Sequence, residues 1–120
     1  MIVDVDETIG RIQIALNQVS GAEIPLVRGY AAAKARAVTQ YADLIADAYA
    51  SGLLDDDEMK RELEEIEHMT RRFTRNMKGL AGVAAERAAT AAIGVLFGAI
   101  RGGLGLAGSP LPEGLTRFGP

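Results

Sequence analysis

The side chains in this sequence that could carry chemistry cluster between Asp55 and Lys78. Glu65-Ile66-Glu67-His68 holds an E-x-x-H spacing, by which bundled helices present carboxylate and imidazole to a pair of iron ions. A symmetric dimer of helical hairpins would bring two copies together, with Asp43 or Asp47 as further ligands. Ile66, however, belongs to the apolar stripe of its helix, so Glu65 and His68 lie beside the buried face, and the preceding helix has no inward Glu. His68 therefore reads as a solvated side chain among acids, and no metal or cofactor is assigned. Asp55-Asp56-Asp57-Glu58 lacks the alternating oxygens, central Gly and terminal Glu of a calcium loop. Four acids at that point instead complement the positive end of a helix, where Asp55 can cap free amides.

Arg71, Arg72, Arg75 and Lys78 fall on about two helical turns. They read first as a solvated helix face that answers the acidic run of a neighbour; the alternative is that they contact phosphate or lipid head groups. Nucleophilic chemistry has little to work with. There is one His and no Cys, and Ser20, Ser51 and Ser109 stand in turn-like settings without a nucleophile elbow. Gly102-Gly103-x-Gly105 follows a helix and has no Lys-Ser/Thr behind it, so it is not a phosphate loop. No catalytic residue is assigned, and the chain reads as a non-enzyme.

What remains is a set of helices. Ile2, Val5, Ile9, Ile12, Leu16 and Val19 recur at three- and four-residue steps, which predicts a short amphipathic helix over residues 4–20. Asp4 and Glu7 resemble its capping box, and Ser20-Gly21 ends it. A second helix is predicted from Pro25 to Ala50, with Leu26, Tyr30, Ala33, Ala37, Tyr41, Leu44 and Ala48 inward. Val38, Ile45 and Tyr49 widen that stripe, and Lys34, Arg36, Asp43 and Asp47 face water. The third carries the most regular pattern in the chain: Met59, Leu63, Ile66, Thr70, Phe73, Met77, Leu80 and Ala84 at 4-3-4-3 steps. Helices two and three, about 39 and 35 Å long, are joined by a short turn and form an antiparallel hairpin.

The segment from Gly79 to Gly108 is apolar and rich in Ala and Gly. Gly94, Gly98 and Gly102 stand four apart behind Thr90, a groove without side chains on one helix face. A Gly in a helix interior costs about 1 kcal/mol relative to Ala, and close approach of another backbone is the expected return. A continuous helix from 56 to 101 would run about 69 Å, roughly twice the breadth of a compact domain of this length. The chain therefore either breaks near Gly79 and Gly82 or is elongated and borrows its core from neighbours, and the second option is favoured. On that reading the second half must be covered by other chains or by lipid. The uncharged stretch from Ala88 to Ile100, bounded by Arg87 and Arg101, falls short of the roughly twenty residues of a spanning helix. Membrane entry through 79–108, with the basic cluster as its flank, stands as the alternative.

The fold class is thus all-α: an antiparallel hairpin with a short N-terminal helix and an apolar Ala/Gly-rich C-terminal helix. The segments divide as 1–78, 79–108 and an irregular Gly/Pro-rich tail 109–120. Charge is unevenly placed, with six basic against fourteen acidic residues up to residue 70 and seven against two after it. That polarity suits head-to-tail or antiparallel association and offers no broad basic face for nucleic acid. The start, MIVDVDETIG, lacks the basic opening of a secretory signal. The run ASGLLDDDEMKRELEEIEHMTRRFTRNMKGLA, within residues 42–101, resembles the small helical proteins of phage virions and tails. That resemblance implies a structural particle component, in the virion or host cytoplasm, with protein partners in a homo-oligomer or among other virion proteins. Met59, Leu63, Ile66, Phe73, Met77 and Leu80 would form the hairpin seam, and Gly94, Gly98 and Gly102 the close-packing surface.

Overall fold

The computed structural model describes residues 1–21, 29–77, 80 and 82–116. Four helices account for most of them: α1 (Val5–Ser20), α2 (Gly29–Ala50), α3 (Asp56–Arg75) and α4 (Gly82–Leu106), followed by a 3-10 turn (Glu113–Thr116). The expected start of the second helix at Pro25 and its inward Leu26 lie outside the described residues, as do Lys78, Gly79 and the last four positions of the tail.

Local chemistry explains the helix ends. Asp4 caps α1 by accepting the Glu7 amide, and Gly21 closes it in the left-handed region at φ 69°. Asp55 and Glu58 form a reciprocal capping box on α3, with Asp56 and Asp57 in its first turn. Between α2 and α3 the chain turns at Gly52 (φ 78°), where the Leu53 amide donates to the Ala48 carbonyl at 2.8 Å.

Each helix runs antiparallel to the next. Tyr49 reaches Asp56 and Tyr41 reaches Glu62 across the α2–α3 hairpin. Arg71 meets Glu86 where α3 hands over to α4, and Ile2 lies on Gly103 at the far end of the α1–α4 pair. The result is an up-down-up-down bundle of 40 × 24 × 23 Å with a radius of gyration of 13.7 Å.

This overturns the elongated reading. The chain breaks between Arg75 and Gly82, and Gly82 takes φ 56°, a conformation that other residues rarely adopt. The reversal folds α4 back onto the rest of the chain. Ile93, Leu96, Phe97, Ile100 and Leu104 are fully buried there by the protein's own helices. Their apolar surface needs neither lipid nor a neighbouring chain to leave water. Gly102, Gly103 and Gly105 belong to α4, as the division at residue 108 expects. The tail 109–120 is not wholly irregular, because a 3-10 turn spans Glu113–Thr116 and Leu115 returns to the core at 0% exposure.

The seam of the third helix faces this core. Met59, Leu63, Ile66 and Phe73 are buried along α3; Met77 and Leu80 are buried too, but in the connection beyond its end. Thr70 joins the stripe because its hydroxyl donates to the Ile66 carbonyl at 2.7 Å, leaving no unpaired polar atom. On α2 the expected face is rotated. Ala35, Val38, Thr39, Ala42, Ile45 and Ala46 are buried, whereas Ala33 and Ala37 are exposed and Leu44 is 63% exposed. Alanines surround this helix, so apolar periodicity cannot orient it. Its small residues Ala35, Ala42 and Ala46 turn inward.

Candidate functional site

The remaining outward face of α4 carries the glycine stripe. An ideal Cβ built on Gly94 or Gly102 would meet no atom within 4 Å; on Gly98 it would meet the Arg101 guanidinium at 3.8 Å, an ordinary contact. No other segment of the described chain occupies this space, so the close approach expected there is not made internally. The stripe is instead the floor of an open groove between α1 and α4. One stretch, about 790 Å³, runs past Ala91, Gly94, Val95, Gly98 and Gly102, with Asp4, Glu7 and Arg11 of α1 on its flank. A second of similar volume continues to Val83 and Arg87, flanked by Val19. The groove ends on two uncovered aliphatic side chains, Val83 (75% exposed) and Leu106 (94% exposed).

Close backbone approach does occur one residue away. A Cβ on Gly103 would collide with the Ile2 carbonyl oxygen, so only glycine admits the N-terminal segment there. That segment is fixed from its other side by Asp43, whose carboxylate accepts the Ile2 and Val3 amides at 2.8 and 2.9 Å. The Met1 ammonium lies 3.8 Å from Asp47. Asp43 and Asp47, expected to face water, are thus the receptors of the N-terminal strap. Their four-residue spacing on α2 was the available signal, but nothing in the sequence says that residues 1–3 reach them.

Two of the four residues in the basic cluster are answered within the chain. Arg71 pairs with Glu86 at 2.6 Å and Arg72 with Glu65 at 3.6 Å, Arg75 is exposed, and Lys78 lies outside the described residues. Glu65 is therefore engaged by Arg72 while His68 points to solvent. Among the described residues no three carboxylate or imidazole side chains come together as a metal site.

A further concavity of 620 Å³ lies between α3 and the tail, with Asp56, Asp57, Lys60 and Glu64 at its rim and Leu63 and Phe97 below. Its acids belong to the start of α3, where they complement the helix dipole. Two tyrosines nearby are perturbed. Burial, then the hydrogen bond to Glu62 and the charges of Glu62 and Glu65, push Tyr41 up to about 12. Tyr49 is also pushed up to about 12, by its hydrogen bond to Asp56 and then by burial. Both hydroxyls tie the hairpin as neutral donors.

Helix α4, at 25 residues, is long and apolar enough to cross a membrane by length and composition. Set against protein-family models, curated proteins and solved structures, the chain matches none. The class that fold and surface define is therefore an all-α four-helix bundle with a glycine-floored groove.

Proposed function

We propose that this protein is a non-enzymatic assembly subunit that docks helix to helix through the α4 groove. The observation that carries the reading is the unfilled space over Gly94, Gly98 and Gly102. Three glycines aligned in a helix interior sacrifice about 3 kcal/mol of helix propensity, and no contact within the described chain offsets it. An external helix seated in the groove would offset it by close packing. A virion or tail component is the setting implied by the resemblance of residues 42–101.

Gly98→Leu tests the reading, because open space receives the side chain without disturbing the bundle. Light scattering is expected to give a mass above one chain for the native protein. The variant should give one chain at unchanged helicity. Normal assembly by the variant sinks the proposal.

A second reading, membrane association through residues 79–108, is favoured by the apolar length of α4. It requires the helix to leave the bundle, where Ile93, Leu96, Phe97, Ile100 and Leu104 are already out of water. Flotation with liposomes separates the two: an assembly subunit stays at the bottom, whereas a membrane-active chain rises with the vesicles.

A further inference from the structure

We infer that the cleft between the start of α2 and the end of α3 binds a small organic anion, a carboxylate or phosphate ester carried on an apolar ring. The site is separate from the α4 groove and does not rest on the assembly reading above.

Two helical faces build it. Tyr30, Lys34, Ala37 and Val38 fall at helical spacing on α2, and Met69, Arg72, Phe73 and the capping residue Asn76 do so on α3. Because the two helices are antiparallel, these faces meet around a cleft of about 300 Å³. Val38 and Phe73, buried in the core, form its floor. Half-buried Met69 and the exposed ring of Tyr30 supply its apolar sides.

The charges around the cleft name the ligand. Two cations reach it from different helices and no acidic side chain lines it, although the chain as a whole carries a net charge of −3. Lys34 has no carboxylate partner among the described residues and rests over the Tyr30 ring, 5.5 Å from its centroid. Arg72 meets Glu65 only at 3.6 Å, with both side chains well exposed, a contact that solvent screens. Its planar fork can exchange Glu65 for a bound anion, holding carboxylate or phosphate through parallel N–H donors, while Lys34 adds a point charge. Asn76 places a carboxamide beside them. Arg71, by contrast, is committed to Glu86 at 2.6 Å, and Arg75 does not line the cleft.

Size limits the rest of the molecule. The volume stands at the lower end of small-molecule sites, which suits an anionic head with one or two rings and is too small for a nucleotide coenzyme. A bare inorganic anion would leave Met69 and the Tyr30 ring uncovered, whereas an aromatic ester covers both and stacks on the ring.

Phenyl phosphate, added to the full chain in the millimolar range, is the probe. Amide shifts in NMR spectra should saturate and stay within residues 30–38 and 69–76. Inorganic phosphate should bind about tenfold more weakly, since it buries no ring. Lys34→Gln and Arg72→Gln should each weaken phenyl phosphate by about tenfold at unchanged helicity. Arg75→Gln, outside the cleft, should change it by less than about twofold. Shifts that never saturate overturn the inference. So does an equal loss in Arg75→Gln, which would reduce the binding to diffuse surface charge, and so does inorganic phosphate binding as tightly as the phenyl ester. Vesicles of phosphatidylglycerol test the source of the anion, and the chain should stay in solution beside them. Pelleting with the vesicles that is lost in both Lys34→Gln and Arg72→Gln would give the cleft to a lipid head group and overturn the free ligand.

Discussion

Replacing Gly94, Gly98 and Gly102 together by alanine separates a surface kept for a partner from one needed by the fold. Each glycine sits inside α4, and each new methyl group enters open space or an ordinary contact. Each substitution should therefore return the helix-propensity difference, about 1 kcal/mol. The methyls do not share partners, so the effects should add to about 3 kcal/mol. For a domain of this length, unfolding entropy converts each kcal/mol to about 4 °C, so Tm should rise by about 12 °C. The assay is thermal unfolding followed by helix content, at a dilution where both proteins sediment as single chains. Gly103→Ala is the internal contrast, since its Cβ would displace the Ile2 carbonyl. Loss of the strap should lower stability by about 1–3 kcal/mol as two amides lose their acceptor. An unchanged or lowered Tm in the triple variant would refute the reasoning, because the groove would then be filled by the chain itself.

Three other outcomes follow from the same contacts. Asp43→Ala should cost about 1–3 kcal/mol in denaturant unfolding and speed hydrogen exchange at the Val3 amide, which Asp43 accepts. Tyr41 and Tyr49 are held neutral up to about 12, above the ordinary tyrosine value near 10. Their contribution is therefore fully present below pH 10 and lost as pH climbs from about 10 to 12. Phenolate absorbance should show Tyr41 and Tyr49 titrating late, and Tyr41→Phe should flatten the fall in stability over that window. Arg71→Ala breaks a partly exposed pair with Glu86, so it should change stability by less than about 1 kcal/mol; unfolding curves that shift by several kcal/mol would contradict this.

The helices themselves were legible in the sequence because their signals are local. Asp4, Asp55 and Glu58 mark helix starts through side-chain oxygens that reach amides three residues away. The 4-3-4-3 recurrence from Met59 to Phe73 identifies the buried face of α3, because its long apolar residues alternate with charges. On α2 the same reasoning included Val38 and Ile45, which are buried, but missed Ala35, Ala42 and Ala46, since alanine is apolar on every side and carries no orientation. The glycine spacing on α4 was visible too, and it marked a surface without saying whose backbone would use it.

Tertiary structure decided what local pattern cannot encode. Whether the apolar half folds back or reaches outward depends on the turn at Gly82 and on α1 and α3 lying where they can cover Ile93, Phe97 and Ile100. Asp43 became the anchor of the N-terminal strap through contacts made across 40 residues. Gly103, and not the evenly spaced stripe, became the point of close approach within the chain. Sequence thus determined which residues form helices and which faces are apolar, because hydrogen bonds and side-chain periodicity act within a few residues. Only the packed bundle determined which apolar faces are covered, because burial depends on where distant segments come to rest.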